Sequence, residues 1–423
     1  MMATREYTFK YGQTVVRFNL NPELVMGELR MKEYPPIQDP AGAILSAIRN
    51  PIQSKPLKEI VKPGQTVAFL VNDPTRVANS HVFMPLLLNE LNSVGVPDKD
   101  TFIMFAVGAH RSLPEKEMAQ LVGSEVAKRV KMYNSEARDL SQFKHVGKTS
   151  RGNDIYFHKR VTEADHIICT GSIVYHFFSG FGGGRKALLP GVAAYETICR
   201  NHALMLDPRA GMGRLKGNPV YEDQVEGTEM LRPSFLLNVV LNEKKEFLKV
   251  YAGDYIQAHL EACKFVESVY GTPIHGLADL VIATCGGYPK DINVYQLQKT
   301  MDNAQLAVRE GGVVIILGEC VEGVGDDLYL EWMKKYKTPE KIEAEVRANF
   351  VVGGHKAYAV TRLMKKAQFI LLSGLDPGLA RTLLFTPAKD MNEALNMALA
   401  KLGPKPRILL MPQGSLTVPV MKK

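Results

Sequence analysis

The chain has 423 residues, 46% apolar and 23% charged, which is room for two or three globular domains with a sizeable core. Its 52 basic and 44 acidic residues leave a charge of only +8. The cations are scattered rather than gathered with aromatics, and groups such as "MKKYKTPEKIEAE" read as solvated helix faces, so nucleic acid is excluded as a partner and an anionic small substrate is favoured. Five cysteines (Cys169, Cys199, Cys263, Cys285 and Cys320) are odd in number, far apart and free of C-x-x-C spacing, which speaks against a disulfide framework or zinc site and for a reducing compartment. The opening "MMATREYTFKYGQ" has no apolar signal region, and runs such as "VVIIL" fall far short of the roughly 20 residues that span a bilayer. A cytoplasmic protein with no membrane contact is expected.

In chain order, "TVAFLVNDPTR" (66–76) predicts a strand that ends in a polar turn, and "HVFMPLLLNELNSVG" predicts a helix ending in Gly. "TFIMFAVGAHR" (101–111), the helix "LPEKEMAQLVG" and "ADHIICTGSIVYH" (164–176) repeat the alternation. The long helix "DYIQAHLEACKFVESVYG" closes on Gly271 and Pro273, and a fresh series of strands begins at Ala278. These strands are "ADLVIATCGGYPKD" (278–291), "GGVVIILGEC" (311–320), "AQFILLSGLD" (367–376) and "PRILLMPQG" (406–414), with helices "NVYQLQKTMDNAQLAVREGG" and "EALNMALAKLG" between them. Continuous apolar runs suit strands buried on both faces, and their alternation with helices means an α/β fold built on mostly parallel sheets. Two lobes are expected, residues 1–272 and 273–423, with the last segment free to pack in either and the active site in the cleft between them.

The polar residues of interest follow strand ends, where ligands bind in open α/β sheets. "NDPTR" offers Asp73, Pro74, Thr75 and Arg76; it reads equally as a type I turn and as a mount for a guanidinium that clamps a carboxylate or phosphate. "GAHR" places Gly108, His110 and Arg111 after the next strand, where a lone His is more often structural. "YHFFSGFGGGRKALLPG" (175–191) runs from His176 through Gly182, Gly183 and Gly184 to Arg185 and Lys186. A Walker A loop would need Gly where Arg185 stands and a hydroxyl where Ala187 stands, and the G-x-G-x-x-G fingerprint fails at Arg185 too. The stretch instead suggests an anion nest beside two cations. In the second lobe Gly286 and Gly287 end a strand, and Gln296 and Lys299 lie one helical turn apart on the next helix. His202, in "YETICRNHALML", has no metal-ligand partner at ligand spacing.

Together, "NDPTR", "GAHR", "YHFFSGFGGGRKALLPG", a His sixteen residues past the lysine and "YQLQK" resemble the nickel-pincer lactate racemase family along nearly the whole chain. The resemblance implies racemisation of a 2-hydroxy acid by hydride transfer to a nickel-pincer nucleotide, a pyridinium mononucleotide with two sulfur-bearing arms. It makes Lys186 the covalent tether, His202 the protein's nickel ligand, and His110 and His176 a pair of acid/base groups, one for each enantiomer. An unperturbed imidazole, titrating near pH ~6.5, suits that work. Arg76, Gln296 and Lys299 are implied in holding the substrate or neighbouring cofactor groups, Asp73 in orienting Arg76 or the cofactor, and Pro74, Thr75, Gly182, Gly183 and Gly184 in cradling the cofactor. Cofactor-maturation enzymes are implied partners. "GGHKAY" (353–358) is a candidate pocket wall, with Tyr358 as a lining residue. The other classes considered are a nicotinamide dehydrogenase, which the broken fingerprint opposes, and a non-catalytic nucleotide-binding protein, which would not need both His110 and His176.

Overall fold

A computed structural model describes residues 4–422. All seven apolar runs are strands: Val67–Asn72, Thr101–Ala106, His166–Ser172, Ala278–Thr284, Val308–Leu317, Gln368–Leu372 and Ile408–Met411. Each pairs in parallel with its neighbours, as expected for strands covered by helices on both faces. Among the described residues, no helix is long and apolar enough to cross a membrane.

The chain divides into two compact units, Tyr34–Glu267 and a discontinuous one that joins Met1–Glu33 to Ser268–Lys423. The sequence boundary at 272 placed residues 1–33 with the first lobe; in the structure they group with the second. The reason is packing: Val25–Glu28 pairs beside Ile408–Met411, and the hairpin Arg5–Tyr11/Thr14–Leu20 buries Tyr7, Phe9, Phe18 and Leu20 in one core with Leu280, Ile315 and Ile370. The closing segment lies in the same unit, where Val418–Met421 pairs with Gly271–Ile274.

The sheet of the Tyr34–Glu267 unit runs in the order Phe247–Gly253, Phe235–Leu241, His166–Ser172, Val67–Asn72, Thr101–Ala106, Lys131–Asn134, with only the Phe247–Gly253 edge antiparallel. From Val67–Asn72 the chain steps outward through two strands, then returns to the other side at His166–Ser172. The connections therefore diverge from these two adjacent strands, a switch point where ligands bind at the carboxyl ends. The other sheet has the order Thr386–Ala388, Gln368–Leu372, Val308–Leu317, Ala278–Thr284, Ile408–Met411, Val25–Glu28. Its switch point falls between Ala278–Thr284 and Ile408–Met411.

Candidate active site

Strand Val67–Asn72 delivers Asp73 at the switch point, and the carboxylate folds the next residues around itself. Its Oδ1 accepts from the Thr75 N–H (2.9 Å) and hydroxyl (2.6 Å), while the Arg76 N–H closes the turn on the Asp73 carbonyl at 3.1 Å. The turn reading of "NDPTR" holds, and the turn presents an exposed Arg76. One Arg76 terminal nitrogen donates to Thr75, and the remaining N–H groups have no protein partner among the described residues. The second Asp73 oxygen meets His110 Nδ1 at 2.5 Å. Burial of Asp73 alone would raise its pKa, but the hydrogen bond and charge of His110, with help from Thr75 and Arg76, hold it below the ordinary carboxylate value. An anionic partner fixes the proton of a neutral His110 on Nδ1, so Nε2 carries the lone pair. The half-exposed ring opens onto a groove of about 570 Å³ lined by Arg111, Glu136, Arg138 and Asp139. Arg111 itself is held by Glu117, with both carboxylate oxygens at 2.9 Å.

Beyond His166–Ser172 the chain forms a short hairpin, Tyr175–His176 against Gly180–Phe181, followed by a single 3-10 turn over Gly184–Ala187. The glycine run is not an open anion nest at two of its positions. The Gly182 N–H donates to Val174 O and the Gly184 N–H to Asn238 Oδ1, both at 2.8 Å. The glycines are needed for fit: Gly184 has φ +58°, and a Cβ there would lie 2.6 Å from the His259 ring. The bond to Asn238 seats the turn on the sheet, and the turn carries Lys186.

Phe178, which no motif in the sequence singles out, is the hub of this region. The His176 ring meets it edge-on at 4.5 Å, the His202 ring at 5.0 Å, and Lys186 Nζ stands 5.8 Å from its centroid. Its signal was the doublet "HFF" that begins at His176. His202 comes from the last turn of helix Tyr195–Ala203. The His176 Nδ1 accepts the Ser179 N–H at 3.3 Å, so a neutral His176 carries its proton on Nε2, the opposite tautomer from His110. Desolvation, then the charges of Lys186, Arg76, His202 and Arg185, hold His176 well below the ordinary imidazole value, unlike the unperturbed base expected from sequence. Desolvation, then Arg76 and Arg185, likewise hold Lys186 well below the ordinary amine value.

A buried polar network supports these residues. The Arg185 guanidinium donates to Ser179 O (2.8 Å), Ser179 Oγ (2.8 Å) and Gln224 Oε1 (3.2 Å), and Gln224 donates to Asn201 Oδ1 at 3.0 Å. Asn201 reaches Asp223 at 2.8 Å, and Asp223 holds Thr149 and Asn153. Helix Tyr195–Ala203 is thereby pinned one residue before His202.

Gln296 and Lys299 belong to the other unit, on helix Val294–Ala307, whose N-cap Asn293 accepts the Gln296 N–H. The Lys299 Nζ donates to Gln296 Oε1 at 2.8 Å, so the two polar ends form one group on the helix surface. Tyr358 is buried on helix His355–Lys366, and from that helix Lys356 reaches Gln298 (2.9 Å) and covers the Tyr295 ring.

Residues 11–213 match the lactate racemase N-terminal domain and residues 275–420 the lactate racemase C-terminal domain. The chain is 30% identical over 413 residues to the lactate racemase of Thermoanaerobacterium thermosaccharolyticum, covering 96% of each. It is 32% identical over 375 residues to the lactate racemase of Lactiplantibacillus plantarum, covering 87% of this chain and 88% of that one. The structure of the lactate racemase apoprotein from Thermoanaerobacterium thermosaccharolyticum matches with a TM-score of 0.89 at 28% identity, over 99% of this chain and 100% of that one. A Thermotoga maritima protein, 17% identical with a TM-score of 0.65 over 92% of this chain and all of its own, shares the fold. With both domain families matched and relatives at 30% and 32% identity along most of its length, the chain belongs to the lactate racemase family.

Proposed function

We propose that this protein racemises a 2-hydroxy acid, lactate or a close analogue, with a nickel-pincer nucleotide tethered to Lys186. The observation that carries the reading is the gathering of His176, Lys186 and His202 around Phe178 at the switch point of the sheet. The donor set fits such a cofactor. Among the described residues no group of three or more His, Cys, Asp or Glu could hold a metal ion, so a metal at His202 must bring its other ligands with it. Lys186 supplies an amine biased toward its neutral, nucleophilic form. When bound, the group supplies an acceptor for the C2 hydrogen of the substrate as hydride.

The rest falls to the chain's own residues. The Arg76 N–H groups left without a protein partner take the substrate carboxylate, and the family resemblance gives Lys299 with Gln296 a substrate-holding role as well. The lone pair on His110 Nε2, backed by Asp73, removes the hydroxyl proton of one enantiomer. His176 presents Nε2–H toward the substrate oxygen; to serve as the base for the other enantiomer it must move its proton to Nδ1 and release the Ser179 N–H. Maturation enzymes that build the cofactor are the partners this reading requires.

The test is intact mass and metal content of protein made in a host able to mature it. A covalent adduct with about one nickel is expected, absent in Lys186→Ala; in His202→Ala the nickel should be lost. Full nickel retention in His202→Ala would sink the ligand assignment, and turnover of soluble NAD with a 2-hydroxy acid would favour a dehydrogenase.

A further inference from the structure

Arg185 is 2% exposed, and its guanidinium meets only neutral groups: Gln224 Oε1, Ser179 O and Oγ, Phe181 O at 3.1 Å, His259 Nε2 at 3.1 Å and the face of Tyr221 at 4.5 Å. Among the described residues no carboxylate answers its charge. A buried cation without a counter-ion is costly to keep. It is also too enclosed to touch a ligand. Burial pushes its pKa down to about 10, which still leaves it charged at neutral pH.

We propose that Arg185 is a positioning residue for Lys186, an unanswered buried charge that biases the neighbouring amine toward its free form for covalent attachment. The inference rests on Lys186 being the anchoring lysine. The two residues share the single turn Gly184–Ala187. The charged groups acting on Lys186 are Arg76, from the turn after Val67–Asn72, and Arg185, from its own turn; the imidazoles that feel the Lys186 charge are His176 from the hairpin and His259 from helix Gln257–Tyr270, and His202 shares the Phe178 ring with it. None is an acid. Arg76 is exposed, and a bound anion cancels its charge, whereas nothing reaches Arg185 to do the same. Desolvation and both guanidiniums act in the direction that favours the free amine. Attachment needs that form: the amine lone pair makes the C–N bond to a carboxyl-type carbon, the leaving group departs with its electron pair, and the displaced amine proton goes to solvent.

The experiment is competitive acetylation of the full-length, cofactor-free chain with trace acetic anhydride across pH, read lysine by lysine by peptide mass. There the amide forms at Nζ and acetate leaves. In the unaltered protein Lys186 should reach half-labelling at a pH below that of exposed lysines such as Lys264. Arg185→Gln and Arg185→Met should raise that midpoint by about one unit, and Arg185→Lys should restore it. Ser179→Ala disturbs the clasp but keeps the charge, and should leave the midpoint low. The proposal is overturned if Lys186 titrates with the exposed lysines, or if the neutral variants leave its midpoint unmoved. It also falls if both neutral variants fail to fold while Arg185→Lys folds, because the charge is then structural. These readings need no cofactor, so they stand apart from failure of the tether assignment, which would appear as a missing adduct in matured protein.

Discussion

At His110 the Asp73 carboxylate and at His176 the Ser179 amide impose opposite protons on two rings of the same chemistry. Asp73→Asn preserves shape but lets the side-chain amide donate to Nδ1, which moves the His110 proton to Nε2 and removes the lone pair. A fall in kcat of about 10² to 10⁴, with KM little changed, is expected in steady-state assays with either enantiomer. Unchanged kcat would detach Asp73 from proton transfer. The two histidines separate in half-reactions. His110→Ala should retain the rapid absorbance change of the cofactor on mixing with one enantiomer and lose it with the other, and His176→Ala should show the reverse preference. Equal responses in all four experiments would end the two-base assignment. The places of His110, His176 and Lys186 after strand ends were legible in the sequence, while the roles given to them and to His202 came from the family resemblance. Phe178 was not legible, because an aromatic at a hairpin reads as ordinary core until His176, His202 and Lys186 are found on its ring.

The seven strands found from sequence each carry an apolar run buried on both faces. Strand Phe235–Leu241 was missed although all seven of its residues are buried, because Asn238 interrupts the run. That Asn is the residue whose Oδ1 takes the Gly184 N–H and holds the glycine turn to the sheet. Asn238→Ala leaves a buried N–H without its partner, about 1–3 kcal/mol. For a unit of this size that is a fall in Tm of about 2–12 °C, measurable by thermal melting of the cofactor-free chain. An unchanged Tm would mean the turn is held by other contacts. Helix Val294–Ala307 was legible from its periodicity, and its function is tested separately. Lys299→Ala should raise KM about ten- to a hundredfold through loss of a charge-assisted hydrogen bond of roughly 1.5–3 kcal/mol. Kinetics identical to the parent would return Lys299 to a solvated helix face.

At the scale of the whole molecule, five histidines among the described residues are held below their ordinary pKa of 6.5 chiefly by burial: His158 to about 4, His259 and His355 to about 3, with His166 and His176 also lowered. The unfolded chain protonates these rings near pH 6.5 and the folded chain only at lower pH, so the unfolded state gains protons first as the medium is acidified. Stability should therefore decline steadily from about pH 6.5 downward. The contribution of Asp73, whose shift has the same direction but a carboxylate origin, is lost only as the pH falls from the ordinary carboxylate value through its depressed one. Thermal melts from pH 7.5 to 4.5 check this, and a flat Tm over that range would contradict it. The division of the chain was less legible than its strands, since nothing local in residues 5–28 reveals a partner nearly four hundred residues away. That pairing bears on how the protein is made. Tyr34–Glu267 is contiguous, and its sheet can close while the ribosome is still translating the C-terminal third of the chain. The first-made hairpin, with Phe9 and Phe18 on its apolar face, must wait for strands that emerge last. During that interval the nascent chain exposes an apolar ribbon ahead of the Tyr34–Glu267 unit, the surface a ribosome-associated chaperone would cover, and truncation before residue 408 should leave that ribbon open to proteolysis while the middle of the chain resists.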